Sequence, residues 1–151
     1  MMEIKLSNLT DTNKLGTLIA QDLKGGEKIF LVGDLGAGKT TLTQQLARSL
    51  DIKEIVNSPT FMLVKEYHSG RLPLIHLDLY RLKNLSEEDE EMVEEYDDGQ
   101  NVLVIEWGEQ IIDNYPDSLV LYFSEINGDK RVVDIKNSSE NLTAKIKKNW
   151  I

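Results

Sequence analysis

The sequence predicts an α/β fold, a small mixed sheet with parallel core strands and antiparallel hairpins, flanked by helices. Three observations predict it. The apolar run Lys28-Ile29-Phe30-Leu31-Val32 leads straight into a glycine-rich loop and then into Leu42, Leu46 and Leu50, spaced by four, which is the strand–loop–helix order of an α/β unit. Val102 to Ile105 is apolar at consecutive positions, as a strand buried on both faces of a parallel sheet requires. Ser69-Gly70 and Asn127-Gly128 each separate two β-type runs, the signal of a hairpin turn. At 151 residues the chain is long enough for a core without staples, and a single domain over 1–151 is expected.

Composition narrows the function classes. There is no cysteine, which excludes disulfides, thiolate catalysis and cysteine-ligated metal sites. Met1 to Ser7 lacks a long apolar segment, so no secretory leader is expected. No run approaches the length of a membrane span, and a cytoplasmic location fits. The net charge is −9, from 26 acidic and 17 basic residues. A stand-alone nucleic-acid binder carries the opposite sign, so direct RNA binding by this chain is not expected.

In chain order, Glu3 to Leu6 reads as a short edge strand. Thr10, Asp11 and Thr12 offer helix N-caps, Leu15, Leu18, Ile19 and Leu23 have helical spacing, and Gly25-Gly26 supplies a stop. These signals predict a helix from about Asp11 to Lys24. The strand Lys28–Val32 follows, and then Gly33-Asp34-Leu35-Gly36-Ala37-Gly38-Lys39-Thr40. This stretch meets every specified position of the phosphate-loop pattern G-x-x-x-x-G-K-[ST]. Glycines open backbone angles closed to other residues, so the loop amides can converge on a polyphosphate with the positive end of a helix dipole behind them. Lys39 supplies a point charge for the β and γ phosphates, and Thr40 a hydroxyl for Mg²⁺. With these flanks, the predicted architecture is a P-loop NTPase-type three-layer fold.

Beyond the loop helix, in Asn57-Ser58-Pro59-Thr60-Phe61, Pro59 prevents a helix and pushes Ser58 towards extended backbone. The segment is either an ordinary turn or a hydroxyl-bearing switch that senses a γ-phosphate. Met62 to Tyr67 and Leu72 to Leu79 read as an antiparallel pair. On the second, Ile75, Leu77 and Leu79 share one side and His76, Asp78 and Tyr80 the other. Asp78 is then either a solvent-face charge paired with Arg81 or a lysine, or a group that binds Mg²⁺ through water or orients attacking water. The nine acidic residues between Glu87 and Asp98 form either a solvated face or a docking surface for a basic partner. Glu106 follows the run Val102–Ile105, at the strand end where ligands bind in open α/β sheets and where a Walker-B carboxylate holds Mg²⁺. Trp107 either packs under this site or caps the core. Ser118 to Phe123 and Arg131 to Ile135 are the last two strands. Leu142, Ile146 and Trp150 mark a final helix capped by Ser138 or Ser139. Arg131 either reaches a nucleotide or is a solvated edge charge.

Four motifs stand in order: Gly-Asp-Leu-Gly-Ala-Gly-Lys-Thr-Thr at 33–41, Ser-Pro-Thr-Phe at 58–61, His-x-Asp-x-Tyr-Arg-Leu at 76–82 and Ile-Glu-Trp-Gly-Glu at 105–109. Together they closely resemble the bacterial TsaE (YjeE) family, over nearly the whole chain. The resemblance implies a small cytoplasmic ATPase that acts with TsaD and TsaB in threonylcarbamoyladenosine modification of tRNAs reading codons that begin with A. It implies that ATP hydrolysis resets the TsaB–TsaD complex between turnovers, with tRNA held by the partners. It further implies ATP binding by Gly36, Ala37, Gly38, Lys39, Thr40 and Thr41, and Mg²⁺ binding by Thr40 and Glu106. Lys39, Asp78 and Glu106 are the implied catalytic residues. Asp78, Trp107, Arg131 and a residue near Leu9 or Thr10 are implied on the nucleotide, and Ser58–Phe61 as a switch-like loop.

Two other loop-bearing classes fit less well. A small-molecule kinase needs an arginine-bearing lid to shield the phosphoryl group, and the segment after Asp78 is acidic, with little arginine beyond Arg81. A GTP switch resembling the GTPases needs a late Asn-Lys-x-Asp, whereas Asn13-Lys14 precedes the loop and lacks the aspartate.

Overall fold

The computed structural model describes residues 1–34, 36–57, 63–128 and 130–150. Leu35 of the loop and the Ser58–Phe61 segment lie outside them, as does Met62. The elements in order are β1 (Met2–Leu6), α1 (Leu9–Asp22), β2 (Lys28–Val32), α2 (Lys39–Ser49), β3 (Val64–Tyr67), β4 (Leu74–Asp78), α3 (Glu87–Tyr96), β5 (Val102–Glu106), a 3₁₀ turn (Glu109–Asn114), β6 (Leu119–Asn127), β7 (Lys130–Lys136) and α4 (Glu140–Trp150).

Among the described residues the strands form one seven-stranded sheet in the order β1-β7-β6-β2-β5-β4-β3. The middle four, β6, β2, β5 and β4, run parallel. Hairpin partners close the margins, β7 antiparallel to β6 and β3 antiparallel to β4, and β1 adds to β7. The two-residue period of the strands divides the core. Ile29, Leu31, Val104 and Leu121 pack under α1, α2 and α4 through Leu15, Ile19, Leu42, Leu46, Leu142 and Ile146. Phe30, Ile75, Leu77, Leu103, Ile105 and Val120 pack on the other face against Val93 of α3 and Ile111 and Tyr115. The sheet is therefore covered on both faces, as its apolar runs require.

Two elements depart from expectation, the first helix and the second hairpin strand, and two open readings are decided, the acidic segment and the cap of the last helix. The first helix is Leu9–Asp22 and its cap is Asn8, whose side chain accepts from the Asp11 amide. Asp11 instead accepts from the Ser7 amide, so Asn8 satisfies an orphan donor of the first turn while Asp11 ties down the residue before the cap. The second hairpin strand is shorter than read, Leu74–Asp78. It also has no solvent face, because all five residues are buried. Sequence periodicity reports which residues share a side; whether that side is covered depends on elements from elsewhere in the chain. The acidic segment is helix α3, opened by a reciprocal capping box between Ser86 and Asp89. Four carboxylates in its first turn face the positive end of the dipole. α4 is capped by Ser139, whose hydroxyl accepts from the Leu142 amide.

Candidate functional site

The parallel register sets the site. Leu31 lies opposite Glu106 on the neighbouring strand, and Glu106 lies opposite Asp78 on the next. Two carboxylates thus stand side by side at the carboxyl ends of β5 and β4, beside the strand that feeds the glycine loop. Both are buried, Asp78 at 4% and Glu106 at 3% exposure. Two adjacent buried acids repel and are tolerated only where a cation compensates.

That cation is Lys39, at the first position of α2. Its side chain is buried, and its Nζ donates to the Gly33 carbonyl at 2.7 Å, lies 3.8 Å from Glu106 Oε1 and sits 4.1 Å from the centre of the Trp107 ring. Burial pulls the ammonium below its ordinary range, while Glu106 and, behind it, Asp78, Glu109 and Asp34 act in the opposite sense. Trp107 reaches this position from a left-handed backbone, φ 59°. A tryptophan there stores about 1–3 kcal/mol of strain, held in place by the tight turn at Gly108, where a Cβ would stand 2.6 Å from Ile105. Tyr80, 48% exposed, packs its ring 5.0 Å from Trp107. A cavity of about 670 Å³ opens beside this pair, between Leu79–Lys83 and Trp107–Gln110.

The loop is shaped as an anion cradle. Gly36 and Gly38 have φ of 79° and 103°, angles that side chains other than glycine's rarely adopt. Gly33 is further constrained, since an added Cβ would lie 2.9 Å from the Phe123 carbonyl. Among the described residues no side chain caps α2, whose N-cap is Gly38, so its first-turn amides and dipole are left facing the loop. Thr40 and Thr41 stand half-buried in that first turn. Arg131, opening β7, lays its guanidinium on the loop from outside, with Nε to the Ala37 carbonyl at 3.1 Å and NH2 to that of Gly36 at 3.0 Å. It also donates to the Gly128 carbonyl. It is a clasp between the β6–β7 hairpin and the loop rather than a solvated edge charge. Leu9 begins α1, 61% exposed, on the helix that packs against α2.

The structure thus brings Lys39, Asp78, Glu106 and Trp107 together at the loop, with Gly36, Ala37, Gly38, Thr40, Thr41 and Arg131 around it. Sequence reasoning missed two participants. His76 is fully buried, and its Nε2 lies 2.5 Å from Glu106 Oε2. Phe123 backs Gly33. The period of two did place His76 on the side of Asp78; the missing information was that β5 is the neighbouring strand.

A polyphosphate with its divalent ion suits this donor set. The uncapped helix start, the glycine cradle and a buried ammonium are complementary to phosphate. The half-buried Thr40 hydroxyl and the Glu106 carboxylate are hard oxygen donors suited to Mg²⁺.

The family described as "Threonylcarbamoyl adenosine biosynthesis protein TsaE" matches residues 6–135. The tRNA threonylcarbamoyladenosine biosynthesis protein TsaE of Bacillus subtilis (strain 168) is 41% identical over 127 residues, spanning 83% of this chain and 79% of the relative. The protein of the same name from Aquifex aeolicus is 40% identical over 139 residues, spanning 89% and 96%. The crystal structure of YdiB from Bacillus subtilis superposes with a TM-score of 0.77 at 31% identity, covering 98% of this chain and 95% of YdiB.

Proposed function

The chain belongs to the TsaE family, and from that premise we propose that it is a Mg²⁺-dependent ATPase serving threonylcarbamoyladenosine modification of tRNA. The observation that carries the reading is the convergence of an uncapped helix start, a buried ammonium and two buried carboxylates from neighbouring strands at one glycine loop. ATP with Mg²⁺ would supply the phosphoanhydride bond and an ion to neutralise charge that develops on its cleavage.

The residues divide the labour. The amides of 36–41 donate to phosphate oxygens. Lys39 exchanges the Gly33 carbonyl for them, a change from a neutral acceptor to charged ones in a desolvated site. Thr40 and Glu106 hold Mg²⁺. Asp78, beside Glu106, orients the attacking water and takes up its proton. Trp107 covers the Lys39 ammonium and excludes solvent. Arg131 keeps the loop carbonyls turned outward, leaving the amides free to face inward. Leu9, at the start of α1, lies towards the base. Ser58–Phe61 senses the γ-phosphate.

The chain acts in the cytoplasm as one domain over 1–151 and docks on a TsaB–TsaD complex. It uses hydrolysis to reset that complex between turnovers rather than transferring the carbamoyl group. Its net charge of −9 leaves tRNA to the partners. No helix among the described residues is long and apolar enough to cross a membrane, and no membrane role is proposed. The test is reconstitution of tRNA modification over many turnovers. With TsaB and TsaD alone, product stops near one modification per complex, and this protein with ATP restores continued synthesis while Lys39→Ala does not. Equal product with and without the protein overturns the reading.

A further inference from the structure

We infer that His76 is the positioning residue of Glu106: its Nε2–H holds one carboxylate oxygen so that the other is presented to the metal site. The inference deepens the proposal above and rests on its assignment of Glu106 to Mg²⁺.

The geometry begins with the sheet. His76 lies opposite Val104 in the parallel register, two residues before the Asp78–Glu106 pair. His76, Asp78, Val104 and Glu106 therefore share one side of the sheet, the side under α2. The Glu106 side chain leans back along that side, and its Oε2 meets His76 Nε2 at 2.5 Å. Its other oxygen, Oε1, is the one 3.8 Å from Lys39. One oxygen is thus anchored inward and the other faces the loop.

The tautomer follows from burial. His76 Nδ1 is buried, with no hydrogen-bond partner among the described residues. A proton there would be a buried donor without an acceptor, which is costlier than a bare lone pair on a weak acceptor. The ring proton therefore sits on Nε2, where a carboxylate accepts it. The purpose of the arrangement lies in what Glu106 would do without it. A carboxylate beside a buried ammonium turns towards it and forms a close charge-assisted hydrogen bond. That pair would compete with both partners' duties, occupying Lys39 against phosphate and Glu106 against metal. By taking up Oε2, His76 keeps the ion pair at 3.8 Å rather than at hydrogen-bond distance. Donors of this kind orient metal-binding groups in many sites, and their loss costs about 10- to 100-fold in metal affinity.

The experiment measures metal linkage rather than turnover. The affinity for a fluorescent N-methylanthraniloyl-ATP is determined with saturating MgCl₂ and with EDTA, and the ratio of the two is compared among variants. His76→Leu is expected to lower the ratio by about tenfold or more, with the EDTA affinity falling by less as Lys39 turns towards the freed carboxylate. His76→Gln places an amide N–H where Nε2 stands and is expected to keep the parental ratio. His76→Asn reaches only as far as Nδ1 and is expected to behave as His76→Leu. If His76→Leu does not fold, the contrast between Gln and Asn decides. Equal ratios for Gln and Asn, or an EDTA affinity that falls as far as the Mg²⁺ affinity, overturn the inference and leave the metal assignment standing. Glu106→Gln is the separate control: a parental ratio in that variant overturns the metal assignment and this inference with it.

Discussion

The two edges of the parallel sheet make opposite uses of charge. At the amino edge, a cavity of about 980 Å³ lies among the starts of β2 and β6, the end of α1 and the beginning of α4. It is larger than the one beside Trp107, yet the charged groups around it are largely consumed by the fold. Glu27 accepts from the Lys24 and Gly25 amides, Lys28 pairs with Asp97 at 3.1 Å, and Asp22 takes the Ser139 hydroxyl and the Asn141 amide. At the carboxyl edge, the helix start is uncapped, and Lys39 is buried 3.8 Å from the buried Glu106 carboxylate, next to Asp78. Volume does not distinguish the edges. What distinguishes them is buried charge of both signs gathered beside an uncapped helix start, the kind of cluster that marks functional sites.

Replacing one residue at a time at each edge sharpens this contrast. The largest effect is expected for Glu106→Ala, with ATP turnover reduced by about 10²–10³-fold and nucleotide still bound; parental turnover in a steady-state phosphate-release assay would falsify the metal assignment. Next is Lys39→Ala, with nucleotide affinity reduced by about 10- to 100-fold, the worth of a charge-assisted hydrogen bond, read by titration calorimetry.

The third prediction concerns pH. Binding needs the Lys39 ammonium, and burial lowers its pKa in the free protein below 10.5. As pH rises through that lowered value the free protein loses the proton, so binding must take one up. Affinity then falls by up to about tenfold per pH unit, starting below 10.5. Calorimetry in buffers of different ionisation enthalpy detects the uptake, and Lys39→Ala removes it.

Gly33→Ala comes fourth. Its Cβ meets the Phe123 carbonyl at a left-handed φ of 152°, and a loss of about 1–3 kcal/mol in unfolding free energy is expected by urea denaturation. The smallest effect is at the amino edge. Lys28→Met breaks a partly exposed ion pair and is expected to cost under about 1 kcal/mol, with nucleotide affinity unchanged. A matching drop in affinity would erase the distinction between the edges.

Much of the molecule was legible in the chain because the relevant signals are local. Phosphate-loop spacing, glycine at strained angles, the apolar run of β5 and the Asn127-Gly128 turn each depend on neighbours a few residues away. The N-cap of α1 was misread because Thr10, Asp11 and Thr12 are all chemically adequate caps, and the choice of Asn8 depends on where β1 releases the chain. The environment of Asp78 was open for a different reason. Alternation along β4 groups His76 with Asp78, but it cannot say that distant parts of the chain bury that side as well as the other.

By itself the sequence determined an α/β chain with a phosphate-type loop, a carboxylate at the end of a buried strand, and membership of one family. Period, turn chemistry and motif spacing are properties of contiguous residues, and they survive without knowing who neighbours whom. Only the tertiary structure decided that His76 meets Glu106 from 30 residues away and that Arg131 clasps Ala37 from 94. Those contacts follow from strand order and register, which place distant segments side by side, and no local preference encodes them.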